Sequence, residues 1–375
     1  MKKIVVFKLI ALCLAAVYFS NTLDWSWQIM QKKKVIAGLI AIPLIGLLFK
    51  TRTPSIKGYK NSISTLKQVA INGTKHEIMI RGNDKKNPVI IFVHGGPGTP
   101  EIPYVRKYQD LLEQNFTTVH YDERASGKSY HFFEDYSNLS IDLLVDDLIA
   151  LTDYISKKLC TKQIILVGHS FGTVVGIKAA NKAPKKYLAY IGLGQIGDFW
   201  SRELESLEYC LTQATLQKNE EDIKAINACR ESVLGHKDTF PRKFTRKYGG
   251  VSRLINDTSD MVSGILLNPE YNLFDTIRFG KGRSVSNNIL WAELMQGNLP
   301  DEVSELKIPC YFVMGKYDYL TPVKTAKEYF DSISAPVKEF VVFDKSAHYP
   351  QFEEKENFFK LMNIVYGGIK QSNQL

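Results

Sequence analysis

Hydrophobic and polar positions change rhythm several times along the chain. Residues 4–19 are apolar apart from Lys8, and residues 35–49 carry no charge. Each run falls slightly short of the roughly 20 residues that cross a bilayer. Trp25, Trp27 and the lysines at 32–34 lie between them, placed to extend the spans as interfacial anchors. Met1-Lys2-Lys3 before an apolar run also resembles a signal peptide, but no small-residue cleavage site follows. The pattern predicts a membrane anchor of two uncleaved spans over residues 1–50. Two spans put the N-terminus and the main domain on one face. Lys2, Lys3, Lys50, Arg52, Lys57 and Lys60 outnumber the loop lysines, which predicts a cytoplasmic domain. Residues 51–65, with Pro54 and Gly58, read as a linker.

Beyond the linker the rhythm becomes that of strands and helices. Residues 66–71 and 75–80 alternate apolar and polar about Asn72-Gly73, a strong hairpin signal. Residues 89–93 form an unbroken apolar run, as in a strand buried on both faces. A helix over 103–114, a strand over 117–121, a helix over 141–159, and strands at 164–168 and 187–193 follow. Between 197 and 300 charged helical texture replaces the alternation, with Trp200, Tyr209, Phe240, Tyr248 and Trp291 scattered through it. Alternation returns with a strand at 308–314, a helix at 322–332, a strand at 337–343 and a closing helix from Glu353. This predicts an α/β fold: a mostly parallel sheet flanked by helices, with its core split into 66–196 and 301–375 around a helical lid at 197–300.

Composition narrows the picture only in places. Of the 375 residues 45% are hydrophobic and 23% charged, as in a folded globular protein. The net charge of +9 is carried partly by lysines beside the N-terminal apolar runs, where they suit an anionic membrane surface. No basic stripe is interleaved with aromatics, which excludes nucleic acid as a partner. The five cysteines include no Cys-x-x-Cys pair. Cys13 lies in an apolar run, and Cys160 and Cys310 read as small buried thiols beside strands. Cys210 and Cys229 flank a polar turn near Asn219. An antiparallel helix pair would bring them together, as a disulfide or as two buried thiols.

The chemistry gathers at Gly168-His169-Ser170-Phe171-Gly172, which ends one apolar strand and opens a small-residue helix. Gly-x-Ser-x-Gly between strand and helix is a nucleophile elbow, its glycines giving room for a strained turn that lifts the serine above the sheet. The plainer alternative is a serine that caps the helix. A nucleophilic serine needs a base and a group to orient that base. His348 follows the last strand by a short loop, at the carboxyl edge where sites of open α/β sheets collect. Asp318, after the preceding strand, is the candidate acid, with Asp344 in reserve. His169 reads as a packing or gating residue. The oxyanion donors would be the N–H groups of Phe171 and of Gly96, in the loop His94-Gly95-Gly96-Pro97-Gly98. Ser126-Gly127-Lys128-Ser129 ends like a phosphate loop, but Asp122 stands where that motif requires glycine. No spacing suggests a metal site and no cofactor is implied.

These residues resemble the α/β-hydrolase superfamily, and within it the proline iminopeptidase-like branch of serine peptidases. His94-Gly95-Gly96-Pro97-Gly98 stands as that branch writes it, and 122–129 is similar to its Asp-Gln-Arg-Gly-x-Gly-x-Ser segment with changes at two places. The branch usually has Gly-Gly-Ser-Trp-Gly at the elbow, whereas Gly-His-Ser-Phe-Gly is commoner among esterases. The resemblance implies Ser170, Asp318 and His348 as the triad, and Gly96 and Phe171 as the oxyanion hole. It also implies lid carboxylates that hold a substrate amino group, for which Glu203, Glu205 and Glu208 are available. The expected activity is release of an N-terminal residue such as proline from a short peptide. The alternatives are hydrolysis of lipophilic esters and a non-catalytic ligand-binding relative.

Overall fold

The computed structural model describes residues 50–372, so the expected membrane spans, the side of the membrane they imply and Cys13 lie outside the described residues. Among the described residues no helix is long and apolar enough to cross a membrane. Residues 51–65 are no free linker. Strand β1 (Ile63–Ile71) already takes up their end. Thr51 accepts a hydrogen bond from Lys128 Nζ at 2.6 Å, and the Arg52 amide donates to the Pro269 carbonyl at 3.0 Å. Arg81 Nη1 donates to Thr53 Oγ1 at 2.7 Å and to the Pro54 carbonyl at 2.5 Å.

β1 pairs antiparallel with β2 (Thr74–Gly82) across a two-residue turn, where Asn72 and Gly73 both hold positive φ, at 44° and 83°. That is the turn chemistry Asn-Gly supplies. The other strands are β3 (Val89–Val93), β4 (Thr117–Tyr121), β5 (Ile164–His169), β6 (Tyr187–Leu193), β7 (Cys310–Gly315) and β8 (Lys338–Phe343). They form one eight-stranded sheet in the order β1-β2-β4-β3-β5-β6-β7-β8, parallel from β4 to β8. Along β3, Val89, Ile91 and Val93 enter one core while Ile90 and Phe92 enter the other. The period of two in a strand thus explains why the run is apolar throughout.

Helix α1 (Ile141–Leu159) and helix α2 (Phe171–Lys182) cover the first face. Ser140 caps α1 by accepting from the Leu143 amide at 3.1 Å. The segment expected as one helix over 103–114 is instead a turn at Val105–Lys107 and a single helical turn at Leu112–Asn115. Cys160, expected to be buried, is exposed in the left-handed position that ends α1, with φ 53°, whereas Cys310 is buried.

The helical insertion holds α3 (Phe199–Leu216), α4 (Glu220–Leu234), α5 (Arg242–Lys247), α6 (Asp257–Leu267) and α7 (Leu273–Gln296). α3 and α4 enclose a small core of their own with Leu207, Cys210, Ile226, Val233, Phe240 and Phe244. Cys210 and Cys229 are free thiols: Cys210 Sγ lies 4.0 Å from Thr245 Oγ1 and Cys229 Sγ bonds the Ala225 carbonyl, so the disulfide alternative falls. The sheet resumes after the insertion with β7, α8 (Val323–Ser332) and β8, and α9 (Lys355–Ser372) covers its second face.

Candidate active site

β5 ends at His169, and Ser170 turns the chain into α2 with φ 54° and ψ −123°. A non-glycine residue in this region costs on the order of 1–3 kcal/mol, a strain that clusters at functional sites. Both elbow glycines are required by packing. A Cβ on Gly168 would lie 2.4 Å from the Gly172 carbonyl oxygen, and one on Gly172 would lie 2.2 Å from that of Val93. Ser170 occupies the N-cap position of α2 but its side chain makes no capping hydrogen bond, so the plain capping alternative fails.

The 94–98 loop is brought directly against this serine: a Cβ on Gly95 would stand 3.0 Å from Ser170 Cβ and 3.5 Å from its Oγ. Gly96 has φ 130°, and a side chain there would strike the Gly98 and Thr99 amides at 2.6 and 2.7 Å. At Gly95 and Gly96 the loop can therefore present only backbone to a neighbour. Phe171, buried, opens α2, and its N–H is one of those a helix start leaves without an intrahelical partner.

His348 and Asp318 meet although thirty residues separate them in sequence. His348 Nδ1 lies 2.9 Å from Asp318 Oδ2, both residues being almost fully buried. Asp318 Oδ1 accepts from the amides of Leu320 and Thr321, each at 2.9 Å, and Thr321 Oγ1 donates to Oδ2 at 2.8 Å. With Nδ1 engaged by the carboxylate, Nε2 is the nitrogen left for proton exchange. Gly194, at the end of β6 with φ 55°, leaves room for this pair, since a Cβ there would lie 3.1 Å from both Asp318 Oδ2 and His348 Nδ1. The reserve acid, Asp344, is 82% exposed and reaches only Lys316 at 3.5 Å.

His169 is buried, with Nδ1 2.9 Å from Glu101 Oε1 and Nε2 2.9 Å from the His348 carbonyl oxygen. Both of its ring nitrogens are thus engaged. Glu101 and Thr321 were not legible in the sequence. Glu101 gains its meaning from His120 and His169 on other strands, and Thr321 from Asp318 three residues before it and His348 in the loop after β8; only the position of Glu101 just beyond the glycine loop hints at either.

The insertion is seated on these loops. The His348 amide donates to the Val251 carbonyl and the Tyr319 amide to that of Gly250, both at 3.0 Å. Ser206 Oγ donates to the Tyr319 carbonyl at 2.6 Å, and Ser286 Oγ of α7 to that of Ala125 at 2.9 Å.

Of the three expected amine-binding carboxylates, two are spent. Glu203 is wholly buried; Oε1 takes Arg202 Nη2 at 2.8 Å and also Arg242, while Oε2 takes the Phe240 amide at 2.9 Å. Burial alone would raise its pKa, but the two arginines hold it below its ordinary value. Glu208, itself exposed, is forked by Arg230 at 2.5 and 3.0 Å. Glu205 differs: its Oε2 is buried without a hydrogen-bond partner, and burial raises its pKa against the pull of Lys324.

Lys128, from the segment that imitates a phosphate loop, is spent on Glu77 at 2.9 Å and on Thr51. Among the described residues no cluster of His, Cys, Asp or Glu is arranged to hold a metal ion.

A family model described as the alpha/beta hydrolase fold matches residues 88–355. Over 306 residues the chain is 32% identical to the probable aminopeptidase YbaC of Bacillus subtilis, covering 80% of this chain and 95% of that protein. Proline iminopeptidase of Heyndrickxia coagulans is 24% identical over 298 residues, covering 76% of this chain and 93% of its own length. In three dimensions the proline iminopeptidase of Mycobacterium smegmatis superposes with a TM-score of 0.60 at 16% identity, covering 82% of this chain and 100% of that one.

Proposed function

The chain belongs to the alpha/beta hydrolase fold family, and from that premise we propose that it is a serine hydrolase acting through an acyl-enzyme. The observation that carries the reading is Ser170, strained at φ 54° with its hydroxyl uncommitted to the helix, on the sheet edge that also holds the Asp318–His348 pair. Ser170 Oγ attacks the substrate carbonyl while its proton passes to His348 Nε2. Asp318 holds the imidazole in the required tautomer and stabilises the imidazolium. The amides of Gly96 and Phe171 stabilise the negative oxygen of the tetrahedral intermediate. Collapse expels the leaving group, protonated by His348, and leaves an acyl ester on Ser170. A water, deprotonated by His348, releases the acid and restores the serine. No cofactor takes part.

The substrate we infer is a short peptide whose N-terminal residue is released, as the names of the relatives suggest. Its ammonium would meet Glu205, which alone of the three expected lid carboxylates keeps a buried, unpartnered oxygen. Spending of Glu203 and Glu208 on arginines favours a second reading, a carboxylic ester with no amino group to hold. The helical insertion then serves as the lid, and the apolar runs at 4–19 and 35–49 as a membrane anchor with the hydrolase on the cytoplasmic side.

Labelling by a fluorophosphonate probe tests the chemistry. Wild type should label and Ser170→Ala and His348→Ala should not; an unlabelled wild type, or equal labelling of Ser170→Ala, overturns the reading. Release of proline from a proline arylamide, set against hydrolysis of an aryl ester, separates the two substrate classes.

A further inference from the structure

Glu101, buried in the loop after β3, lies among three histidines: His169 at 2.9 Å, His120 at 4.0 Å, and His94. The three respond in opposite directions. Burial drives His94 and His120 down to about 4, so both are neutral near pH 7. His169 suffers the same burial, but its bond to Glu101, the Glu101 charge and the His348 carbonyl together hold it above its ordinary 6.5. Glu101 in turn lies below its ordinary value, because the His169 bond and charge outweigh its burial.

The two hydrogen bonds of His169 fix how many protons the pair holds. The partner of His169 Nε2 is the carbonyl oxygen of His348, which can only accept, so Nε2 must carry a proton. The partner of Nδ1 is a carboxylate oxygen, so a second proton lies between Nδ1 and Oε1. Beside an ionised Glu101 that proton rests on Nδ1 and the ring is an imidazolium. His348 and Tyr349 face this ring at centroid distances of 5.0 and 5.1 Å. Asp318 adds its negative charge. Tyr104, beside Glu101, is pushed well above its ordinary value by burial and stays neutral.

We propose that Glu101 and His169 form a proton-holding clamp that positions His348 relative to Ser170. His169 is the residue immediately before Ser170, and its Nε2–H grips the backbone of His348 itself. The base is thus held at three points: its amide by Val251, its ring by Asp318 and its carbonyl by the strand that carries the nucleophile. Loss of the His169 proton leaves one of its two nitrogens without a donor, and either the Glu101 bond or the His348 bond is given up. His169 and Glu101 are positioning residues that act through His348. The inference deepens the serine-hydrolase reading and rests on it for its kinetic part, though not for the protonation state.

The test has two arms. In the first, full-length wild type labelled with 15N-histidine is followed by NMR from pH 6 to pH 10. One ring is expected to keep both nitrogens protonated well above pH 6.5, and Glu101→Gln should abolish that signature. A wild type in which every imidazole is neutral at pH 8 overturns the proposal, whether or not any variant folds. In the second, the rate constant for fluorophosphonate labelling is measured against pH. Wild type should lose rate on the alkaline side as the clamp deprotonates. Glu101→Gln should move that limb down by a pH unit or more, and His169→Gln, which keeps a donor without a titrating ring, should remove it. Profiles that coincide with wild type in both folded variants overturn the clamp. A wild type that does not label at any pH sinks the hydrolase reading instead, and the NMR arm still decides the protonation.

Discussion

The loops at the carboxyl edge of the sheet and the helical insertion packed on them both bury charge, but they dispose of it differently. At the sheet edge the chain of contacts runs from loop amides through Asp318 to His348 and stops there. Asp318 takes two amides and a hydroxyl, and Nδ1 of His348 takes the carboxylate, while the atoms proposed to react keep a direction open. In the insertion carboxylate is answered by guanidinium: Glu203 is held by Arg202, Arg242 and the Phe240 amide, and Glu208 is forked by Arg230. The contrast teaches how to separate chemical from structural charge in one molecule. Burial alone does not, since Glu203 is as deeply buried as Asp318. What distinguishes them is the partner: Asp318 holds an imidazole that keeps a second nitrogen able to exchange a proton, whereas Glu203 is held by two guanidinium groups, which do not give theirs up.

The contrast breaks most sharply at Ser170. Ser170→Ala should cut turnover of an aryl ester on the order of 10⁴-fold or more, and Asp318→Asn on the order of 10³–10⁴-fold, with both proteins still folded by circular dichroism. If Asp318→Asn cost stability and not rate, the sheet edge would be behaving like the insertion.

Next in size is the reverse test. Breaking a buried ion pair from one side costs about 3–5 kcal/mol, so Glu203→Gln should lower unfolding stability by that order in a denaturant titration while sparing kcat. Its pH dependence has a definite sign. Glu203 lies below its ordinary 4.5 in the fold, so its contribution is complete above that value and is lost as pH falls through the depressed pKa. The acid limb of wild-type stability should therefore be steeper than that of Glu203→Gln.

Glu205 stands between the two regions, in the insertion but with an uncommitted oxygen. Glu205→Gln should reduce kcat/KM for a proline arylamide about tenfold through one lost charged contact and leave an aryl ester unchanged. Equal loss on both substrates would assign Glu205 to packing. The smallest effect belongs to Asp344→Asn, which should move stability by less than about 0.5 kcal/mol and leave the rate unaltered, as expected of an exposed side chain.

Legibility in the sequence followed the same division. The elbow, the glycine loop, and the order of Ser170, Asp318 and His348 could be read because each is written in a few consecutive residues or follows its own strand. The turn at Asn72-Gly73 was equally local. Partner choice in the insertion was not readable: nothing near Glu203 announces that Arg242, thirty-nine positions away, will occupy it. The same holds for Glu101, which meets His120 and His169 only because β4 and β5 flank β3 in the sheet. Where a signal was local but tertiary packing overrode it, as in the broken helix over 103–114 or the exposed Cys160, the expectation failed.

The residues just after position 50 carry one more consequence. Thr51 against Lys128, Arg52 against Pro269, and Thr53 and Pro54 against Arg81 tie the incoming chain to three separate parts of the fold within four residues. A segment fastened this way is a mooring and not a leash. The heading at which the chain enters the domain is fixed relative to the sheet, and so to the edge that carries Ser170. From Thr51 onward, the path of the chain is thereby set relative to the edge that carries Ser170.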